Sequence, residues 1–239
     1  SYRHIQFMNC VDAVIRDNLI SGPIINHCIS VDFGTYAVIE NNDISVPSAQ
    51  VNGEFGISLT NCTRCKVTKN NVNNSVKEAI QFTNSVYCAA DLNTSTWDAA
   101  SGKDFGFSED GCTGTKYVNN FINNSYKTGI ASASINQGNT LGIFDNNHII
   151  DCATRATGAA LTVLECSAMC CYVGNFDINK QVFSNNTVVV TAGQTLTALY
   201  SDPGGVGIVG NNSFIYAALL NTGTVTTMYT VSSTTKVWS

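Results

Sequence analysis

Apolar and polar residues alternate along this chain in short runs, and the runs recur in a fixed order. The clearest phrase is Val67-Thr68-Lys69-Asn70-Asn71-Val72: an apolar residue, two free positions, an asparagine, one free position and another apolar residue. It returns at Ile15 to Ile20, Ile39 to Ile44, Tyr117 to Ile122, Phe144 to Ile149, Phe183 to Val188 and Val209 to Phe214. The turn asparagines are then Asn18, Asn42, Asn70, Asn120, Asn147, Asn186 and Asn212, with gaps of 24, 28, 50, 27, 39 and 26. A second phrase, Ile5-Gln6-Phe7-Met8-Asn9, lies nine residues upstream of Asn18, and Ile57-Ser58-Leu59-Thr60-Asn61 stands likewise before Asn70. Its third copy, Ile80-Gln81-Phe82-Thr83-Asn84, predicts a turn asparagine at Asn93 and divides the gap of 50 into 23 and 27.

Each repeat therefore holds three short strands of period 2, joined by Asn, Gly and Ser turns, with almost no helical periodicity. Strands so short, returning every 23 to 28 residues, predict an all-β solenoid: a parallel β-helix of about eight to nine coils. Ile, Val, Leu and Phe point inward and stack on their equivalents in the next coil. The asparagine amides form a ladder, each satisfying the buried turn of its neighbour. The solenoid is expected over 1–222, with 223–239 as a last coil or the start of a β-rich terminal region. Departures from the period mark insertions at Val86 to Asp104, carrying Trp97, and within Asp151 to Phe176. The chain opens on Ser1 already inside a strand-like pattern and is expected to be a piece of something longer.

Composition narrows the function. Of 239 residues 44% are hydrophobic and only 12% charged, so Asn, Ser, Thr and Gly supply most of the polar surface. A formal net charge of -5 with no basic stripe argues against nucleic acid. No 18-residue apolar run is present, so no membrane insertion is expected. Ten cysteines invite a disulfide framework, yet Cys10, Cys62 and Cys112 fall in one phase of alternate repeats. Alternate coils lie about 10 Å apart, beyond the roughly 7 Å that a disulfide spans. Gly34 and Ser85 fill the same phase between them, so the position asks for a small buried side chain. Reduced, buried thiols point to folding in a cytosol. The six Asn-x-Ser/Thr sites, at Asn61, Asn73, Asn93, Asn123, Asn185 and Asn211, read as by-products of turns rich in Ser and Thr.

No compact catalytic motif is present, and neither a metal nor a cofactor is expected. The candidate chemistry is a row of carboxylates. Glu54, Glu78 and Asp104 each precede the first strand of successive coils, which are expected to open at Ile57, Ile80 and Phe105. Neighbours in such a row would lie about 5 Å apart and its ends about 10 Å, a range that covers both retaining and inverting glycoside hydrolysis. Asp32 and Asp98 lie on nearby ground, and an exposed Trp97 would offer a flat apolar face to a sugar ring.

In the phrases Gly56-Ile57-x-Leu59 and Val67-x-x-Asn70-x-Val72 the chain resembles right-handed parallel β-helix proteins of the pectin-lyase-like class. The Asn-Thr-Asp, Asp-Asp and Gly-His-Gly signatures of its polygalacturonases are absent, and Arg64-Cys65-Lys66 alone matches their Arg-x-Lys. Within the class the chain looks most like the β-helix of a bacteriophage tailspike. That resemblance implies a homotrimeric receptor-binding protein of the virion tail, folded in the host cytoplasm without disulfides. It implies a bacterial surface polysaccharide, O-antigen or capsule, as partner and as the substrate of an endo-glycosidase. The alternatives are a non-catalytic β-helical adhesin or shaft, and a secreted, extracellular polysaccharide lyase.

Overall fold

A run of three alternating residues between two turn formers is too short to bury a face alone, and the chain solves this by stacking copies in register. The computed structural model describes residues 5–23, 26–47, 55–75, 77–98, 105–125, 127–133, 138–152, 167–172, 178–179, 181–190, 195–201, 207–210, 213–216, 224–230 and 236–238. All its principal strands belong to three parallel sheets of nine, nine and eight strands. Coils 1 to 9 are spanned by strands within 5–21, 29–45, 57–73, 80–96, 107–123, 130–150, 167–190, 195–216 and 224–238. Each coil gives one strand to each sheet in turn, except that none of the described strands of coil 9 joins the third. Strands Thr224–Thr230 and Lys236–Trp238 extend the first and second sheets as parallel neighbours, the former with a register shift at Leu196 and Thr197. No described helix is long and apolar enough to cross a membrane.

The inward columns are what the alternation demands. In the first sheet Ile29, Ile57, Ile80, Phe107 and Ile130 pair along one column and are wholly buried. In the second, Tyr117, Phe144 and Phe183 stack with ring centroids 5.4 and 4.5 Å apart, close to the strand repeat. Ala90 stands one coil before Tyr117, and the room it leaves lets the Phe82 ring approach Tyr117 to 5.0 Å.

The asparagine ladder forms as its spacing requires. Asn42 takes two hydrogen bonds from Asn18, at 3.1 Å from its backbone and 2.8 Å from its amide, and Asn70 takes the same pair from Asn42. The column continues through Asn93, Asn120 and Asn147 to Asn186, crossing the 39-residue gap without a break. From Asn42 to Asn186 each amide also donates to a backbone carbonyl of the preceding coil, and Asn42 and Asn70 donate to one of their own coil as well, as Asn70 does to Thr68 and Ile39. Asn212 lies outside the described residues.

Two expectations shift. Residues 86–98 are not an insertion: Val86 bridges Thr63 and Thr113, and Ala89–Asp91 and Thr94–Thr96 are regular rungs. The first strand of coil 5 is Phe107–Asp110, two residues later than the Phe105 expected, because Phe107 is the residue that pairs with Ile80. The cysteine phase holds: Cys62 and Cys112 are buried free thiols, and Ser85 between them gives its hydroxyl oxygen to the Cys62 backbone N–H at 3.1 Å. Burial pushes Cys28 and Cys152 up to about 12, so these thiols stay protonated. Of the Cys166, Cys170 and Cys171 group, Cys170 is buried, and Cys166 falls outside the described residues.

Candidate functional site: the outer face of the first sheet around Ser108 to Asp110

In a strand whose first and third residues enter the core, the second and fourth face outward. On the first sheet the fourth residues form the polar row Asp32, Thr60, Thr83 and Asp110 across four successive coils. Its length is about 14 Å at the strand spacing. Asp32, Thr60 and Thr83 are half-buried, and Asp110 keeps 7% of its surface open. Asp32 Oδ2 accepts from Gln6 Nε2 at 3.2 Å.

Glu78 reaches this face from the preceding corner. The corner is made tight by a small-residue column, Gly56, Ala79, Gly106 and Gly129, which falls one residue before the paired Ile57, Ile80, Phe107 and Ile130. A Cβ on Gly106 would stand 2.3 Å from the Gly129 carbonyl oxygen, and one on Gly56 2.7 Å from that of Ala79. Glu78 lies one residue further upstream, and its Oε1 accepts from the Ser108 hydroxyl at 3.3 Å. Glu78 is also 7% open. Ser108 and Asp110 leave one face of one strand two residues apart, about 7 Å. Glu78 and Asp110 are thereby two carboxylates of neighbouring coils flanking Ser108 on the same face. Two carboxylates on either side of one hydroxyl are the groups that general acid and base catalysis of glycoside hydrolysis requires.

Beneath them, on the core side, lies a third carboxylate. Glu109 occupies the inward column of Val31, Leu59 and Phe82 and is 1% exposed. Its Oε1 accepts from Ser132 Oγ at 2.7 Å, and its Oε2 accepts from the Thr115 hydroxyl. Desolvation raises its carboxyl to about 7, against the opposing pull of those two hydroxyls. Asn139 supports the group by donating to Ser132 Oγ at 3.0 Å and to the Ala133 carbonyl at 2.7 Å. Tyr117, raised well above its ordinary value chiefly by burial, donates to the Ser108 carbonyl at 2.6 Å. The Ser108–Asp110 segment is thus gripped from inside by polar bonds to Thr115, Tyr117, Ser132 and Asn139.

The expected row of Glu54, Glu78 and Asp104 does not share one phase. Counted back from the paired Ile57, Ile80 and Phe107, Glu54 and Asp104 stand three residues upstream and Glu78 two. Lys77, not an acid, has the count of Glu54 and Asp104. Glu54 and Asp104 lie outside the described residues. The register places Glu78 with His27, Phe55, Phe105 and Thr128. Here His27 stacks on Phe55 at 5.1 Å, Lys77 Nζ lies over Phe55 at 5.2 Å and Lys127 Nζ over Phe105 at 5.6 Å.

Trp97 is a correction. Its indole is 1% exposed and donates from Nε1 to the Ser75 carbonyl at 2.9 Å, so it fills the core and offers no face to a sugar. Asp98 is exposed and bonds to Asn74 of the preceding coil, its backbone donating to Asn74 Oδ1 at 2.8 Å and its Oδ2 accepting from Asn74 Nδ2 at 3.0 Å. Asp32 is brought into the row of Asp110. Asp110 and Glu109 are missed by a strand that opens at Phe105, because in that register neither takes a strand position of the column. The signal in the sequence is that Phe107-Ser108-Glu109 aligns with the phrases Ile57-x-Leu59 and Ile80-x-Phe82 and puts an acid at a core position. Among the described residues no group of three His, Cys, Asp or Glu is arranged to hold a metal.

The fold defines the chain as a parallel β-solenoid with an asparagine ladder. No protein-family model and no curated protein matches it. Solved structures do. DFA-IIIase from Arthrobacter chlorophenolicus A6 without its lid superposes with a TM-score of 0.63 at 14% identity, over 87% of this chain and 48% of that one. The same enzyme in complex with GF2 matches with a TM-score of 0.63 at 13% identity, over 93% and 53%. In complex with DFA-III it matches with a TM-score of 0.59 at 13% identity, over 89% and 52%. The chain thus spans about half the length of these structures. At 13 to 14% identity the likeness is one of fold alone, and nothing in it points to a tailspike.

Proposed function

We propose that this chain is the β-helical body of a protein that binds and hydrolyses a bacterial surface polysaccharide from within the chain, as a tailspike-like endo-glycosidase. The observation that carries the reading is the pair Glu78 and Asp110, set on one outer face from neighbouring coils, with the polar row from Asp32 leading up to it. In this reading the row holds successive sugar hydroxyls, and the pair supplies acid and base on opposite sides of the scissile bond. Fold likeness to a carbohydrate-active enzyme supports the substrate class. The homotrimer, the virion tail and the O-antigen or capsule remain part of this proposal, drawn from the tailspike resemblance.

The test is to incubate the complete protein with surface glycans from several bacteria and follow chain length. Shorter oligosaccharides without ultraviolet absorbance are expected, and Glu78→Gln or Asp110→Asn should each slow their release at least a hundredfold with the fold intact by circular dichroism. Binding without cleavage would assign the chain to the non-catalytic adhesins, and an ultraviolet-absorbing product to the lyases. Full activity in both variants sinks the pair.

A further inference from the structure

The corner between the first and second sheets carries side chains that the core does not explain. Asp12, Tyr36, Arg64, Tyr87, Gly114 and Leu141 follow one another there, each beside a bridge of the column Val11, Thr35, Thr63, Val86, Thr113 and Thr140. All six have positive φ, between 54° and 65°. That backbone favours glycine and tolerates Asn or Asp; tyrosine and arginine are poor choices for it. Tyr36 and Tyr87 are nonetheless 45% and 55% exposed, and Phe33, at the preceding corner of coil 2, is 54% exposed. Large aromatic groups therefore stand in an unfavourable conformation with about half of their surface in solvent.

Their arrangement is ordered. Arg64 Nη1 donates to the Tyr36 hydroxyl at 2.7 Å, with its guanidinium carbon 5.8 Å from the Tyr36 ring centroid. One coil further, the Tyr87 ring lies against Gly114: a Cβ there would stand 2.4 Å from Tyr87 Cδ1 and 2.6 Å from Cε1. Glycine in this one coil is what lets the ring lie down along the corner. The two tyrosines are about 10 Å apart, with the guanidinium between them. Half-buried threonines flank the ridge on one side, and exposed Lys66 and Lys116 stand two residues beyond it on the other, Lys66 with Asp91 at 3.6 Å. In a chain of net charge -5, three cations gather on this face. The acid in the column, Asp12, marks its coil 1 end.

We propose that the ridge Tyr36, Arg64 and Tyr87 is a second, non-catalytic binding site for an acidic polysaccharide. The strand runs from Tyr36 toward coil 6, away from Asp12. Sugar rings lie on the tyrosine faces, a carboxylate or sulfate meets Arg64, and the threonine hydroxyls take ring hydroxyls. The ligand class rests on the carbohydrate reading above, but the site is separate from Glu78 and Asp110.

Affinity electrophoresis of the complete protein through gels carrying polygalacturonate, alginate, hyaluronan or neutral dextran tests it. The protein should be retarded by at least one acidic glycan and not by dextran. Arg64→Ala should weaken that binding at least tenfold, and so should the double variant Tyr36→Gly, Tyr87→Gly. The glycine variant suits the positive φ, so its melting temperature should hold or rise while binding falls, which a merely structural ridge would not do. No retardation by any acidic glycan, or equal retardation of wild type and both variants, overturns the proposal. Cleavage that depends on Glu78 and Asp110, with binding indifferent to the ridge, would sink this site alone.

Discussion

Glu109 is the residue at which the core departs most from its own pattern. A carboxylate stands where three preceding coils place Val31, Leu59 and Phe82. The folded protein holds its proton up to about 7, whereas an unfolded chain releases it near 4.5. Between those values the unfolded state has lost a proton that the native state keeps, so stability falls as pH rises through the window and levels off above it. The whole change amounts to roughly 3 kcal/mol. Glu109→Gln should flatten it: denaturant melts at pH 5 and pH 8 should differ less in the variant than in wild type, with the variant the more stable at pH 8. A larger pH dependence in the variant would mean that another group titrates. Neither this residue nor Asp110 was legible in the sequence, because Phe105-Gly106-Phe107 offers two alignments and local alternation cannot choose between them. Pairing with Ile80 decides it, and pairing is a property of the neighbouring coil. Trp97 misled for a related reason. Thr94-Ser95-Thr96 before it reads as loop, yet Ser95 is a buried core residue of a regular rung, and the indole packs into the same core.

At the scale of one element, the asparagine rung was the most legible feature, because the same local problem recurs in every coil and has one solution. Asn93 shows how much rests on it. Its Oδ1 accepts from the backbone and the amide of Asn70, both at 3.0 Å. Its Nδ2 donates to the Val67 carbonyl at 3.0 Å and to Asn120 Oδ1 at 3.1 Å. Asn93→Ala removes these and leaves buried donors of coil 3 unmatched, a loss of about 2–4 kcal/mol. Urea denaturation should register it as a lower midpoint with little change in slope. A loss under about 0.5 kcal/mol would show that water replaces the amide, and the ladder would then be decoration.

Over the whole molecule, each coil touches only the coils above and below, so disturbance should stay near its source. Gly106→Ala offers the test. Its Cβ would meet the Gly129 carbonyl at 2.3 Å and Ile122 Cγ2 at 2.8 Å, overpacking the boundary of coils 5 and 6. Amide exchange is expected to quicken across strands Phe107–Asp110 and Ile130–Ala133 while Ile29–Asp32 keeps its protection. A uniform rise along the chain would mean that the coils open as one unit. The same independence bears on the left-handed corners. The residues from Tyr36 to Leu141 hang outside the hydrophobic interior, yet the interior fixes their pitch at about 5 Å. They work as the teeth of a comb whose spine is made elsewhere. Heredity can recut one tooth at a time without bending the spine, so a lineage of such solenoids can change what its edge presents while its fold stands still.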